Sequence, residues 1–445
     1  MLAAAIGLSA TAWGATPGQP NGKASPIKGV SAITEVFGDG QRTTAVAVEY
    51  DKNIASGKLS TAAFAVEGRT ITKVYASQKA DKAAQGSDGR YVILELSPDD
   101  KDAPTFTRFE DHGGPGGPSG PGAPAAAGGK RIQPMGRKLI RKKVEIVVKQ
   151  VGEIETVSGV KIAAQAHAVK SSKVVNLVVD DFQKLVFKDP ENGNTIKYNL
   201  FVPKNYDKSK SYPLVMFIHD ASVLSDDYEQ TLIQGNGAAI WATPAEQAKH
   251  PSFVLAPQLD EVVSTDSKNP SNMLDSVAHL IFVLEKQYSI NTGQIYTMGQ
   301  SLGTMMSIAL NAKYPDLFAA SLLVAGQGEP DLMGSLAHKN LWFIISEGDM
   351  RAYPATSASL PVMEKAGAKV CQARWNAKAS PTEQAENVKW MIDQECNIKV
   401  AYYIKGTTLP VGQENSGANE HMETWNVAYS IEGVRDWLFT QKKAH

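Results

Sequence analysis

Residues 295–310 read IYTMGQSLGTMMSIAL: an apolar run, a serine with a glycine two positions to either side, and a second apolar run. The first run has the unbroken hydrophobicity of a buried strand. LGTMMSIALNAKY beyond it has helical spacing, so GQSLG occupies a strand-to-helix turn. A turn that tight forces its serine into a strained backbone conformation and lifts Oγ above the C-terminal edge of the sheet. Gly299 and Gly303 leave room where a side chain would collide with a neighbouring segment. The helix starting directly after Ser301 aims N–H groups and its positive dipole end at any negative charge that forms there. Ser301 is therefore the candidate nucleophile.

A serine hydroxyl is a poor nucleophile at neutral pH and needs a base held in place by an acid. In a strand-and-helix fold of this kind the acid should come later in the chain and the histidine later still. LWFIISEGDMRAYP (341–354) places Asp349 just past a buried strand, with Glu347 as the competing carboxylate. ANEHMETWNVAY (418–429) places His421 after a glycine-containing loop, at the start of the last helix. Of the eight histidines, His338 and His445 also follow the serine. The former precedes the acid's strand and the latter is the terminal residue, so His421 is preferred.

An oxyanion would need two backbone N–H groups. One is expected from Leu302 and the other from Asp220 or Ala221, in the loop after the strand PLVMFIHD. His219, ending that strand early in the domain, reads as a packing and loop-fixing residue. Gln300, Gln327, Tyr353 and Trp425 are the candidates to face the substrate. No HExxH or other metal-type histidine spacing occurs, and the chemistry calls for no metal or organic cofactor.

Working outward, the grammar changes at about residue 182. After it, continuous apolar strands such as TIKYNLFVP, PLVMFIHD, FVLAPQ, AASLLVAG and IKVAYYIK alternate with helical stretches such as SNMLDSVAHLIFVLEKQY. That pattern predicts an α/β domain over 182–445, a mostly parallel sheet with helices on both faces. Before it, from Ile27 to about Asp181, seven short runs alternate Val, Ile, Thr and Tyr with polar residues. They predict a small immunoglobulin-like β-sandwich over 27–181. HGGPGGPSGPGAPAAAGG (112–129) interrupts it. Its prolines and the lack of a following GK[ST] argue strongly against a phosphate loop and predict a mobile insertion.

The 445 residues exceed what one core usually supports, which agrees with two domains. Hydrophobic residues at 43%, charged residues at 20% and a net charge of -1 describe an ordinary globular chain with no global attraction for nucleic acid. The basic stretch KLIRKKVEIVVKQ (138–150) reads as a solvated strand edge. MLAAAIGLSATAWGA (1–15) resembles the remnant of a signal peptide, with an AxG pattern at Ala12 and Gly14 but no charged n-region. It predicts a secreted or periplasmic protein, and no later stretch is long and apolar enough to span a membrane. In that setting Cys371 and Cys396 predict one disulfide, with two buried thiols as the alternative.

The segments FIHD, YTMGQSLG, YPDLFAASLLVAGQ, ISEGDMRAYP and HMETWNVAYSIEGVRDWLF together resemble secreted α/β-hydrolase esterases. The similarity is to the polyhydroxybutyrate-depolymerase-like and predicted-peptidase group, which carries an N-terminal immunoglobulin-like domain. It covers about 182–440 well and the first domain by architecture alone. It implies a Ser301, Asp349, His421 triad that hydrolyses carboxylic esters, small or polymer-linked, with short-chain or feruloyl-type aromatic acyl groups. The first domain is then a candidate for carbohydrate contact. This chain departs from the group's pattern in ending the turn motif GT, with Thr304, and in having HD where HG is usual. Two other readings use the same residues: a serine peptidase, and a glycan-binding surface protein with an inactive hydrolase domain.

Overall fold

The computed structural model describes residues 25–110, 137–265 and 269–443. The stretches read as a signal-peptide remnant (1–15) and as a Gly/Pro insertion (112–129) lie outside them. The described residues divide into two compact units, one built from 25–35, Gln41–Thr107 and Ile140–Asp180, the other mainly from Asp181 onward with the short segment Val36–Gly40.

The first unit is a β-sandwich. A five-stranded sheet orders Lys173–Asn176, Ile27–Phe37, Gly40–Ile54, Gly89–Leu96 and Ile71–Ser77, and a three-stranded sheet orders Val169–Lys170, Val147–Gln150 and Phe64–Val66. Because strand side chains alternate, Val46, Val48 and Tyr50 face Phe64 and Val148 of the other sheet in one core. Ala45 and Ala47 of the same strand pack on the opposite face with Ile33, Tyr75 and Ile93. The basic stretch 138–150 is split: strand Arg137–Arg141 ends before Val147–Gln150 begins.

The second unit carries a nine-stranded sheet in the order Gln183–Lys188, Thr195–Phe201, Phe253–Gln258, Tyr212–Ile218, Ile290–Gln300, Ala320–Val324, Leu341–Ser346, Ile398–Tyr403, Val370–Trp375. The first two strands are antiparallel to their neighbours and the remaining pairs are parallel. Beyond the apolar strands expected from the sequence the sheet has two more, at its two edges. Gln183–Lys188 and Val370–Trp375 expose alternate residues, so neither shows the continuous apolar run of the central strands. Helices Met273–Gln287 and Leu302–Lys313 bury Leu274, Ile281, Met306 and Leu310 against one part of the sheet. Helix Ala352–Lys365 buries Leu360 and Met363 in a further cluster with Phe343 and Val400.

This is an α/β-hydrolase fold behind an immunoglobulin-like domain. Four neighbouring central strands end at Ile218, Gln300, Val324 and Ser346, all along the carboxyl edge of the parallel sheet, where such sheets bind ligands. No helix among the described residues is long and apolar enough to cross a membrane. Cys371 and Cys396 form a disulfide around the polar helix Pro381–Asp393.

Candidate active site

Ser301 sits between strand Ile290–Gln300 and helix Leu302–Lys313 with φ 52° and ψ −115°. A side chain in that region costs of order 1–3 kcal/mol and persists only where packing dictates it. Packing here is tight. A Cβ on Gly299 would stand 2.3 Å from the carbonyl carbon of Gly303, and one on Gly303 would stand 2.0 Å from the carbonyl oxygen of Ile218. Ser301 N–H donates to Val324 O at 3.0 Å. The Thr304 hydroxyl lies 2.8 Å from both Gly299 O and Val324 O, so the threonine of the GT ending pins the first turn of the helix to two strand ends.

Asp349, three residues past strand Leu341–Ser346, is 1% exposed. Its Oδ1 accepts from the N–H groups of Arg351 and Ala352 at 2.9 Å each, and its Oδ2 lies 2.5 Å from Nδ1 of His421. Burial pushes this carboxyl's pKa up. The hydrogen bond and charge of His421, together with the two N–H groups, outweigh that and hold it below the usual value. An ionised Oδ2 can only accept, so Nδ1 of His421 carries the proton and Nε2 presents a lone pair. Nε2 stands 2.9 Å from Ser301 Oγ, completing a line from acid to hydroxyl. Glu347, the competing acid, faces elsewhere, receiving Arg374 Nε at 2.5 Å and Nη2 at 2.9 Å.

His421 is the fifth residue of helix Gly417–Ala428, which is not the last helix as expected. The helix stops at Ala428, and Glu432–Thr440 follows as a separate element. The buried guanidinium of Arg435 in that last helix holds Glu246 Oε1 at 2.9 and 2.6 Å.

Ser301 opens into a cavity of about 750 Å³ lined by Ala221, Leu302, Met305, Met350, Met422 and Trp425 among others. Leu302 and Ala221 each begin a helical turn, so neither N–H is used within its own turn. Asp220 precedes Ala221 as a cap, its Oδ1 accepting from Ser222 N–H and its Oδ2 from Gln300 Nε2, both at 2.7 Å. The ring of His219 is wholly buried, with Nδ1 2.7 Å from Asp220 O and Nε2 accepting from Leu259 N–H at 3.0 Å. Burial lowers its pKa and favours the neutral ring.

Of the four expected pocket residues the cavity takes only Trp425, whose ring meets that of His421 edge-on with centroids 5.3 Å apart. Gln300 is 2% exposed and bound to Asp220, because the last strand residue directs its side chain to a sheet face rather than to the edge. Gln327 is buried and does not line the cavity, and Tyr353 packs edge-on against Tyr402 with centroids 5.0 Å apart. Of the methionines that line it instead, Met305 was signalled by helical spacing, one turn past Ser301, whereas nothing in the sequence marks Met350 or Met422. Among the described residues no cluster of His, Cys, Asp or Glu is placed to hold a metal.

Fold and site together define an α/β-hydrolase preceded by a domain of a type found in esterases. Residues 29–163 match the family model of the esterase Ig-like N-terminal domain. The crystal structure of a thermostable esterase superposes with a TM-score of 0.75 at 27% identity, covering 94% of this chain and 100% of that one. The probable acetylxylan esterase A of Aspergillus flavus is 26% identical over 198 residues, 39% of this chain and 60% of that relative. Acetylxylan esterase A of Talaromyces purpureogenus is 32% identical over 68 residues, 15% of this chain and 18% of the relative. The chain thus spans less than two thirds of the length of these curated relatives.

Proposed function

We propose that the chain is a secreted serine esterase that cleaves carboxylic esters through Ser301, His421 and Asp349. The observation that carries the reading is the hydrogen-bonded line from Asp349 through His421 to a serine hydroxyl that opens into a largely apolar cavity. The esterase domain model over 29–163 and the full-length likeness to a thermostable esterase support the reaction class.

In the first step Nε2 of His421 takes the Ser301 proton as Oγ attacks the ester carbonyl. The new C–O bond converts the carbonyl oxygen to an oxyanion facing the N–H groups of Leu302 and Ala221. Collapse expels the alcohol, which leaves with the proton from Nε2, and the acyl group stays on Ser301. Water then attacks the acyl carbonyl and gives a proton to Nε2; as the acyl–Oγ bond breaks, Nε2 returns that proton to Ser301 Oγ and the acid departs. Asp349, buried and ionised, holds the ring in the tautomer this cycle needs and stabilises the imidazolium.

Methionine and tryptophan walls suit an apolar acyl group, and the curated relatives are named as acetylxylan esterases, so acyl groups carried on polysaccharide are the substrates to examine first. The N-terminal sandwich is the candidate for the carbohydrate part. Labelling with a fluorophosphonate and peptide mapping should find the probe on Ser301. Turnover of p-nitrophenyl acetate and butyrate should exceed that of peptide anilides and fall by several orders of magnitude in Ser301→Ala. Labelling elsewhere, or undiminished hydrolysis in that variant, would sink the assignment.

A further inference from the structure

Beside His421 stands a carboxylate with no part in the reaction described above. Glu420 is 0% exposed, and no lysine, arginine or histidine pairs with it among the described residues. A carboxyl withdrawn from water is costly unless its oxygens find hydrogen-bond partners. Here they find three donors: Oε2 accepts from Ser346 Oγ at 2.5 Å and from Thr408 Oγ1 at 2.9 Å, and Oε1 accepts from Gly406 N–H at 2.5 Å.

These donors come from two different segments. Ser346 ends the strand leading to Asp349, and its Oγ also receives the N–H of Gly348 at 3.1 Å. Gly406 and Thr408 lie just beyond the neighbouring strand Ile398–Tyr403. One side chain therefore joins the loop of the acid, the exit of the next strand and the helix of the histidine. The fit is close. A Cβ on Gly348 would stand 2.4 Å from both Cγ and Cδ of Glu420, which three hydrogen bonds prevent from moving aside.

We infer that Glu420 is a positioning residue: by tying the loop Ser346–Asp349 to helix Gly417–Ala428 it sets the separation between His421 and Asp349, and through it the reach of Nε2 to Ser301. The inference rests on the esterase reading above. A displacement of about 1 Å in such a constellation costs on the order of 10²-fold in rate. Substrate contacts are untouched, because Glu420 does not line the cavity.

The test is steady-state kinetics on p-nitrophenyl butyrate with the full chain, alongside thermal unfolding. Glu420→Gln presents an amide N–H₂ to donors that need an acceptor. It should lower kcat about 10- to 100-fold, with KM within about twofold and the protein still folded. Ser346→Ala should lower kcat in the same sense, and the double variant should lose less than the product of the two single losses, since both residues belong to one hydrogen-bonded network. Wild-type kcat in folded Glu420→Gln, additive losses in the double variant, or activity that falls only in step with the folded fraction would each overturn the inference. Should Glu420→Gln not fold, Ser346→Ala and Thr408→Val each remove one donor, and unchanged kcat in both overturns it equally. Loss of hydrolysis in Ser301→Ala beside full activity in Glu420→Gln would sink this inference alone. Hydrolysis surviving Ser301→Ala would sink the reading beneath it.

Discussion

Oδ2 of Asp349 lies 2.5 Å from Nδ1 of His421 across 72 positions of chain, and the carboxyl is held below its usual pKa. The unfolded chain, with an aspartate titrating at about 3.9, therefore binds the proton more readily than the folded one. The stabilisation from this pair is fully present above that value and is lost as pH falls through the lower folded value. Unfolding free energy should drop more steeply below about pH 4 in the wild type than in Asp349→Asn. Parallel curves would contradict the pairing. At neutral pH the same variant should lose about 10⁴-fold in kcat, because an amide facing Nδ1 favours the wrong tautomer.

Ser301 holds a backbone conformation suited to glycine, at φ 52°. Ser301→Gly and Ser301→Ala should both be inactive toward esters. The glycine variant should be the more stable of the two by about 1 kcal/mol, since it alone relieves the strain, partly offset by the entropy of a glycine in the unfolded chain. Urea unfolding of the pair measures this, and a less stable glycine variant would refute the strain argument.

Gln300 Nε2 is a donor to the buried Asp220 carboxylate that caps the turn carrying Ala221. Gln300→Leu removes that donor and should destabilise the chain by about 1–3 kcal/mol. If the Ala221 N–H serves the oxyanion, kcat should also fall, by up to about 10²-fold, with KM little changed. Full kcat in a destabilised variant would show that the turn does not need this support.

The disulfide closes a loop of 25 positions at the sheet's edge strand, and neither cysteine lines the cavity. Replacing both cysteines by serine should cost about 3 kcal/mol of stability in the chain-entropy account. Turnover at 25 °C should be unchanged. A matching loss of kcat would mean that the edge strand and the cavity communicate.

The strand, turn and helix around Ser301 were legible because the flanking strand is buried on both faces and reads as an unbroken apolar run. Asp349 and His421 were legible from chain order, since each follows a recognisable element boundary. Gln300 was misread because proximity in sequence to a nucleophile says nothing about which sheet face a strand's last side chain takes. Edge strands were missed for a related reason. Val370–Trp375 has one covered face, and its polar alternation resembles a loop. Nothing marks Glu420 in the sequence, because its partners Ser346, Gly406 and Thr408 are brought to it only by the sheet.

Val370–Trp375 is also the outermost strand beside Ile398–Tyr403, with one row of backbone groups open to a stranger's chain. The Cys371–Cys396 bridge is a covalent tie between that border and the segment just before the neighbouring strand. Reduction of that tie should therefore show first as aggregation through this edge, in light scattering, while the remaining molecules keep whatever ester hydrolysis the oxidised chain has, a failure that an activity assay alone would overlook.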